Sequence, residues 1–323
     1  MISVVQLGRV DYAEGLRLQQ RLVELRKAGQ IGDILLLLEH TAVITLGRNA
    51  KTAHVLLPPE QLALRGVQVF ECDRGGDVTF HGPAQLVGYP IFDLRGTEGS
   101  QVTGDGSEEN RSRRSALRSQ EKPLRKTVGA VDYVRRLEEV LIRTCADFGI
   151  PTKRVPGLTG VWTLSSKADD SREGHDPGPQ RALFSHAGGE NLSGAETKPT
   201  IDGALAPEGR DEAKIAAIGV HISRGVTSHG FALNVNTDLS YFDLIVPCGI
   251  VSKPVTSMEK EVGHEIDFNA VAEAVSRNFG TVFSRQILGV DTIDALLGQA
   301  VGTPMKAPSE FRELRGDDEV FRA

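Results

Sequence analysis

The sequence predicts a mixed domain, α/β or α+β, built on a mixed β-sheet. Three observations carry that expectation. Short aliphatic runs of strand length alternate with longer segments whose apolar residues recur every three or four positions. The longest unbroken aliphatic run, Ile34 to Leu38, falls far short of the roughly 20 residues that span a bilayer. The 323 residues leave room for one large domain or two ordinary ones, with a sizeable core.

Taken in order, Tyr12 to Ala28 carries Leu16, Leu18, Leu22, Val23 and Leu25, mostly at helical spacing. Asp33 to Glu39 reads as a buried strand and Ala42 to Leu46 as another. Val67 to Glu71 alternates like a strand, and Gln85 to Leu94 is a further extended apolar segment. Val131, Val134, Leu137, Leu141, Cys145 and Phe148 form a helical stripe that Gly149 ends, with Pro151 beyond it. Gly160 to Leu164, Ile215 to Ile222 and Phe231 to Asn236 read as strands, and Ala270 to Leu288 as a helix. There is no internal repeat.

Two stretches break this order. Residues of about 95–127 pass from Gly, Ser and acidic residues into a basic run, Arg111 to Lys126. Residues of about 165–212 are rich in Gly, Pro, Asp and Glu. Neither holds enough large apolar residues to offset chain entropy, so both are expected to be flexible insertions. The chain is then one domain over 1–323, interrupted twice. The basic run has no interleaved aromatics for base stacking and reads as a solvated loop.

Composition narrows the function. The net charge of −6, from 37 Lys+Arg against 43 Asp+Glu, disfavours bulk nucleic-acid binding. Cys72, Cys145 and Cys248 make no disulfide framework and no C-x-x-C pair. No basic segment follows Met1, so no secretory signal is expected and the expected location is cytoplasmic, off the membrane.

Cys145 lies on its helix stripe as a structural thiol, and Cys72 ends a strand before a glycine-rich turn. Cys248 differs, because Pro247 and Gly249 frame it on a turn that can present a thiol to a cleft, although a packing role stays open. The segment Arg74 to Gln85 is neither a Walker A loop nor a Rossmann fingerprint. Its adjacent Gly75 and Gly76 allow close backbone approach to a ligand, and Arg74, Thr79 and His81 bring polar groups to the same turn. A plain tight turn is the alternative. Lys214 stands at the mouth of a small-residue strand, where a lysine ordinarily extends to solvent or, if desolvated, shuttles protons. His81 and His229 each precede a glycine and read first as satisfied structural histidines, with a base as the alternative. No His, Cys, Asp or Glu cluster has zinc spacing, so no metal is expected. A thiol, a lysine and two histidine turns suggest acyl transfer.

Together these segments resemble the octanoyltransferases of lipoate biosynthesis, also called lipoyl(octanoyl) transferases. The resemblance rests on Arg74 to Gln85, Gly160-Val-Trp162, Lys214 to Gly219, Ser228 to Asn236 with Asn236 to Phe242, and Pro247-Cys-Gly249, all in the family's order. The 34 positions from Lys214 to Cys248 are similar to the family's separation of its lysine and cysteine. Two departures stand out. Gly82-Pro-Ala84-Gln85 has Ala84 where the family usually has Gly, and the two insertions lengthen connections that are normally brief.

The resemblance implies an α/β fold with a mixed β-sheet and flanking helices, a catalytic domain of the biotin/lipoate protein ligase type. It implies octanoyl transfer from octanoyl-acyl carrier protein to a lysine of lipoyl domains, in 2-oxoacid dehydrogenase subunits or the glycine cleavage H protein. No cofactor or nucleotide is needed, and a monomer suffices. Cys248 is implied as the nucleophile that forms an acyl thioester, with Lys214 as its proton partner. The acyl site is implied at Ala217, Ile218, Gly219, Gly230, Phe231 and Ala232, with Arg74, Gly75, Gly76, Asp77, Val78, Thr79, Phe80 and His81 as the opposing wall. An ATP-dependent lipoate or biotin ligase is the first rival, and a non-catalytic lipoyl-domain or carrier-binding protein the second.

Overall fold

The computed structural model describes residues 1–95, 127–164, 212–247 and 253–301. Both expected insertions fall almost wholly outside the described residues, and so does Cys248. Eleven strands are described. They are β1 (Ile2–Val10), β2 (Asp33–His40), β3 (Val43–Leu46), β4 (Gln68–Glu71), β5 (Val78–His81), β6 (Gln85–Ile91), β7 (Thr152–Val155), β8 (Leu158–Thr163), β9 (Lys214–Ser223), β10 (Val226–Asn234) and β11 (Ile287–Gly289). Eight build a mixed sheet in the order β11-β1-β2-β6-β10-β9-β8-β7, and three build a small sheet in the order β4-β3-β5. The helices are α1 (Tyr12–Lys27), α2 (Pro59–Leu64), α3 (Ala130–Asp147), α4 (Met258–Val262), α5 (Phe268–Phe283) and α6 (Ile293–Val301). None of the described helices is long and apolar enough to cross a membrane.

The run Ile34 to Leu38 is continuous because β2 is covered on both faces. Leu35 and Leu37 pack with α3 and α5, whereas Ile34, Leu36 and Leu38 pack with Leu22, Val23 and Leu25 of α1. Asp11 starts α1 by accepting from the Ala13 N–H at 2.9 Å, and Arg26 and Lys27 sit in its last turn.

Two helix expectations need correction. The buried face of α3 starts at Tyr133 and continues through Leu137, Val140, Leu141 and Cys145, while Val131 stays 72% exposed. The expected helix to Leu288 ends at Phe283, where Ser284 turns left-handed at φ +52°. The apolar Ile287 and Leu288 belong instead to β11, whose Ile287 pairs in parallel with Ile2. Gly149 does close α3, at φ +73°.

Candidate active site

A cavity of about 340 Å³ opens between the large sheet and the small one. Strand alternation decides what lines it. On the large sheet, Val87, Ala232 and Ala217 are paired across β6, β10 and β9, and Gly230 pairs with Gly219. These small side chains leave the space. Ile218 and Phe231 are one residue out of phase, so their side chains enter the core on the opposite face, Phe231 stacking on Phe279. They can offer the cavity main chain only. Phe231 and Ala232 are paired with both β6 and β9, so their main chain sits inside the sheet.

The same alternation corrects the opposing wall. Thr79 and His81 face the cavity, whereas Val78 and Phe80 pack away from it, Phe80 against Tyr241 and Phe242. The loop ahead of them docks on β9 through the Gly75 N–H, which donates to Val220 O at 3.1 Å. A Cβ at Gly219 would lie 2.7 Å from Gly75 O, so this approach needs glycine. Arg74 lines the cavity from a buried position. Its guanidinium donates to Thr45 O at 2.7 Å, to Thr45 Oγ1 and to Gly75 O, which ties the loop to β3. Asp77 shapes the loop, accepting from the Val78 and Lys51 N–H groups while lying 2.6 Å from His54 Nδ1.

Of the two readings of Lys214, the structure has the buried one. It is only 8% exposed rather than extended to solvent, and its Nζ lies 5.2 Å from the centre of the Trp162 ring. Its backbone is fixed by Pro254 O and the Thr256 N–H. Lys214 and Pro247 line one small recess beside the cavity, together with Thr79, Gln85 and Val255.

The histidines divide into two kinds. His81 is hydrogen-bonded to Gln85 Oε1 at 2.8 Å, and burial pushes its pKa down to about 3. It is a neutral, fixed imidazole. Behind the cavity His40 bonds Tyr89 Oη at 2.6 Å, and burial brings it down to about 4. His229 lies on the cavity wall in the left-handed region, at φ +55°. Its Nε2 is 2.7 Å from Asp73 Oδ1, and its N–H donates to the buried Gln19 Oε1 at 2.7 Å. The bond from His229 holds the Asp73 carboxyl near a pKa of about 2. Asp73 also reaches His221, which burial pushes down, and Arg48 donates to His221 Nδ1 at 2.8 Å. Asp73, Gln19, His221 and Tyr89 were missed in the sequence, although Asp73 directly precedes Arg74.

The other described thiols are structural. Burial raises Cys145 to about 12, which leaves it an inert thiol. The Cys72 S–H donates to Leu46 O at 3.4 Å.

A small-residue cavity between two sheets, with a buried lysine at one end, is the class of site found here, and the comparisons give it a family. The lipoyl protein ligase A/B catalytic domain matches residues 11–112 and 119–280, and the chain belongs to that family. An octanoyltransferase of Koribacter versatilis is 47% identical over 98% of both chains. An octanoyltransferase of Acidobacterium capsulatum is 46% identical, over 92% of this chain and 96% of its own. The solved structure of a bi-partite lipoate protein ligase from Thermoplasma acidophilum aligns with a TM-score of 0.54 at 13% identity, over 93% of this chain and 91% of that one. It shares the fold.

Proposed function

We propose that this chain is an acyltransferase that moves an octanoyl group from octanoyl-acyl carrier protein to a lysine of a lipoyl domain. The observation that carries the reading is the placement of Lys214. It is buried at one end of a cavity walled by Ala217, Gly219, Gly230 and Ala232, and it shares a recess with Pro247, the residue before Cys248. The full-length likeness to octanoyltransferases supports the same reading.

In the first step the Cys248 thiolate attacks the carrier thioester carbonyl. The bond to the carrier sulfur breaks, and Lys214 passes the thiol proton to the departing thiolate. Thioester exchange is nearly isoenergetic, so no nucleotide is consumed. In the second step the acceptor lysine amine attacks the acyl-enzyme, the Cys248 sulfur leaves, and Lys214 takes the amine proton and returns it to sulfur. The stable amide drives this step. The acyl chain's roughly seven methylene and methyl groups contribute about 0.8 kcal/mol each on burial. The reading includes a single catalytic domain acting as a monomer in the cytoplasm, with lipoyl domains of 2-oxoacid dehydrogenase subunits and the glycine cleavage H protein as acceptors.

Incubation with octanoyl-acyl carrier protein and intact-mass measurement tests it. One octanoyl adduct is expected on the parent and none on Cys248→Ala, and Lys214→Ala should abolish transfer to a lipoyl domain. Transfer from free octanoate that requires Mg-ATP would establish a ligase instead. No adduct and no transfer would leave a binding protein.

A further inference from the structure

We propose that His229 is the end wall of the acyl cavity and sets the longest acyl chain the enzyme accepts. The proposal rests on the acyl-transfer reading above and adds a residue that determines specificity. On the outer side of the large sheet's α1 flank lies a second cavity, of about 230 Å³, whose lining includes Leu16, Val23, Gln20 and Ser228. Among the described residues His229 alone lines both this cavity and the one that holds Lys214. It is the partition between them.

Its position along the strands puts it at the far end. From Lys214 the cavity wall runs through Ala217 to Gly219 on β9, and through Ala232 to Gly230 on β10, with His229 next in line opposite Val220. An acyl chain attached beside Lys214 therefore points its methyl end toward His229. The partition is built to stay put. His229 is 3% exposed and holds a left-handed backbone that a non-glycine residue adopts only when its surroundings impose it. Gln19 holds its amide, Asp73 holds its Nε2, and Tyr89 meets its ring edge-on with centroids 6.4 Å apart. The space behind it is lined by Leu16 and Val23 together with polar groups that include Gln20, Glu24, Lys27 and Ser223, so added methylenes would pack on the Leu16 and Val23 side of it.

Replacing the wall by glycine tests this, because glycine accepts φ +55° without strain. In His229→Gly the ratio of kcat/KM for dodecanoyl over octanoyl carrier protein should rise about tenfold or more, since each methylene that finds an apolar site adds discrimination. Filling the second cavity in the same chain, as His229→Gly with Leu16→Phe, should return the ratio most of the way to the parent's. Thermal melts confirm folding, and His229→Ala reads the same ratio should the glycine variant not fold. An unchanged ratio overturns the proposal. So does an equal loss for both chain lengths, which would make His229 an acid–base group. Calorimetric binding of octanoate and dodecanoate gives the same comparison without turnover. If the parent transfers no octanoyl group, the acyl-transfer reading fails, while the binding ratio still decides whether His229 is a wall.

Discussion

Lys214 and Trp162 are partners across β9 and β8, beside a shift of register at Val161, with the lysine Nζ 5.2 Å from the centre of the indole ring. Trp162 is 1% exposed, so the ring is a fixed platform. A cation over an aromatic face is attracted by the ring quadrupole. The lysine is thereby oriented at the cavity, where an exposed lysine would sample many rotamers.

Gly160 makes this platform possible and gives the first prediction. It adopts φ +123°, and a Cβ there would lie 2.6 Å from Ala216 O and 2.8 Å from Lys214 Cε. Gly160→Ala should lower stability by about 1–3 kcal/mol in urea unfolding, because backbone and lysine must both shift. It should also lower kcat tenfold or more with a smaller change in KM, since small displacements of a reacting group are costly. Unchanged kcat would mean that Lys214 does not act from this position.

A second prediction concerns acid stability. His40 and His81 have folded pKa values of about 4 and about 3, against an ordinary 6.5, because both are buried. Below pH 6.5 the unfolded chain binds protons that the folded chain refuses, so stability is full above that pH and is lost as pH falls toward about 4 for His40 and about 3 for His81. Each imidazole contributes a slope of up to about 1.4 kcal/mol per pH unit. Asp73 adds a loss only lower, as pH falls from about 4 toward its folded value of about 2. Urea midpoints should therefore fall between pH 6.5 and 5, before the carboxylates titrate. A flat profile in that window would mean the fold takes up these protons without opening.

How much of this was legible in the sequence depends on how local each feature is. The strand at Ile34 to Leu38 was visible because both its faces are apolar. The glycine pair and the polar residues of Arg74 to His81 marked one cavity wall, since close backbone approach has a local signature. The alternation that sends Val78 and Phe80 into the core was equally available, but the segment read as a turn rather than as β5. The strand β1 escaped notice because Gly8, at φ +65°, and an irregular register between Gln6 and Arg9 interrupt its pattern. The end of α5 was hidden because apolar spacing runs on across Ser284. Asp73 and Gln19 were beyond reach for another reason. Their contacts with His229 join residues more than a hundred positions apart, and no periodicity reports such pairs.

Ala84 supplies a third prediction. The family resemblance places glycine here, and the chain adopts φ +58° with alanine. The turn is held by Glu39, which accepts from the Ala84 N–H, and by the Asn236 N–H and Thr237 hydroxyl, which donate to its carbonyl. Relief of the left-handed cost, about 1–2 kcal/mol, exceeds the added chain entropy of glycine, about 0.4–1 kcal/mol. Ala84→Gly should thus raise stability by up to about 1 kcal/mol, and the β-branched Ala84→Val should lower it by more than that. A clear loss in Ala84→Gly would show that the surrounding bonds, rather than backbone strain, dominate this turn.

Glu138 links the helical layer to the lysine platform. Its side chain is wholly buried in α3, yet it takes Arg135 at 2.7 Å and Arg154 at 3.0 Å, and its other oxygen accepts from the Gly160 N–H at 3.2 Å. Gly160 in turn borders Lys214. Glu138→Ala removes the anion from beside the solvent-accessible guanidinium groups of Arg135 and Arg154 and strands the Gly160 donor, which should cost about 1–3 kcal/mol. Glu138→Gln keeps an acceptor oxygen for Gly160 while dropping the charge, so it should lose less stability. If the path through Gly160 fixes the lysine, Glu138→Gln should retain most of the parent's kcat. Glu138→Ala, measured below its melting point, should show a fall in kcat larger than its change in KM. Equal activity in the two variants would confine Glu138 to stability and separate it from the placement of Lys214.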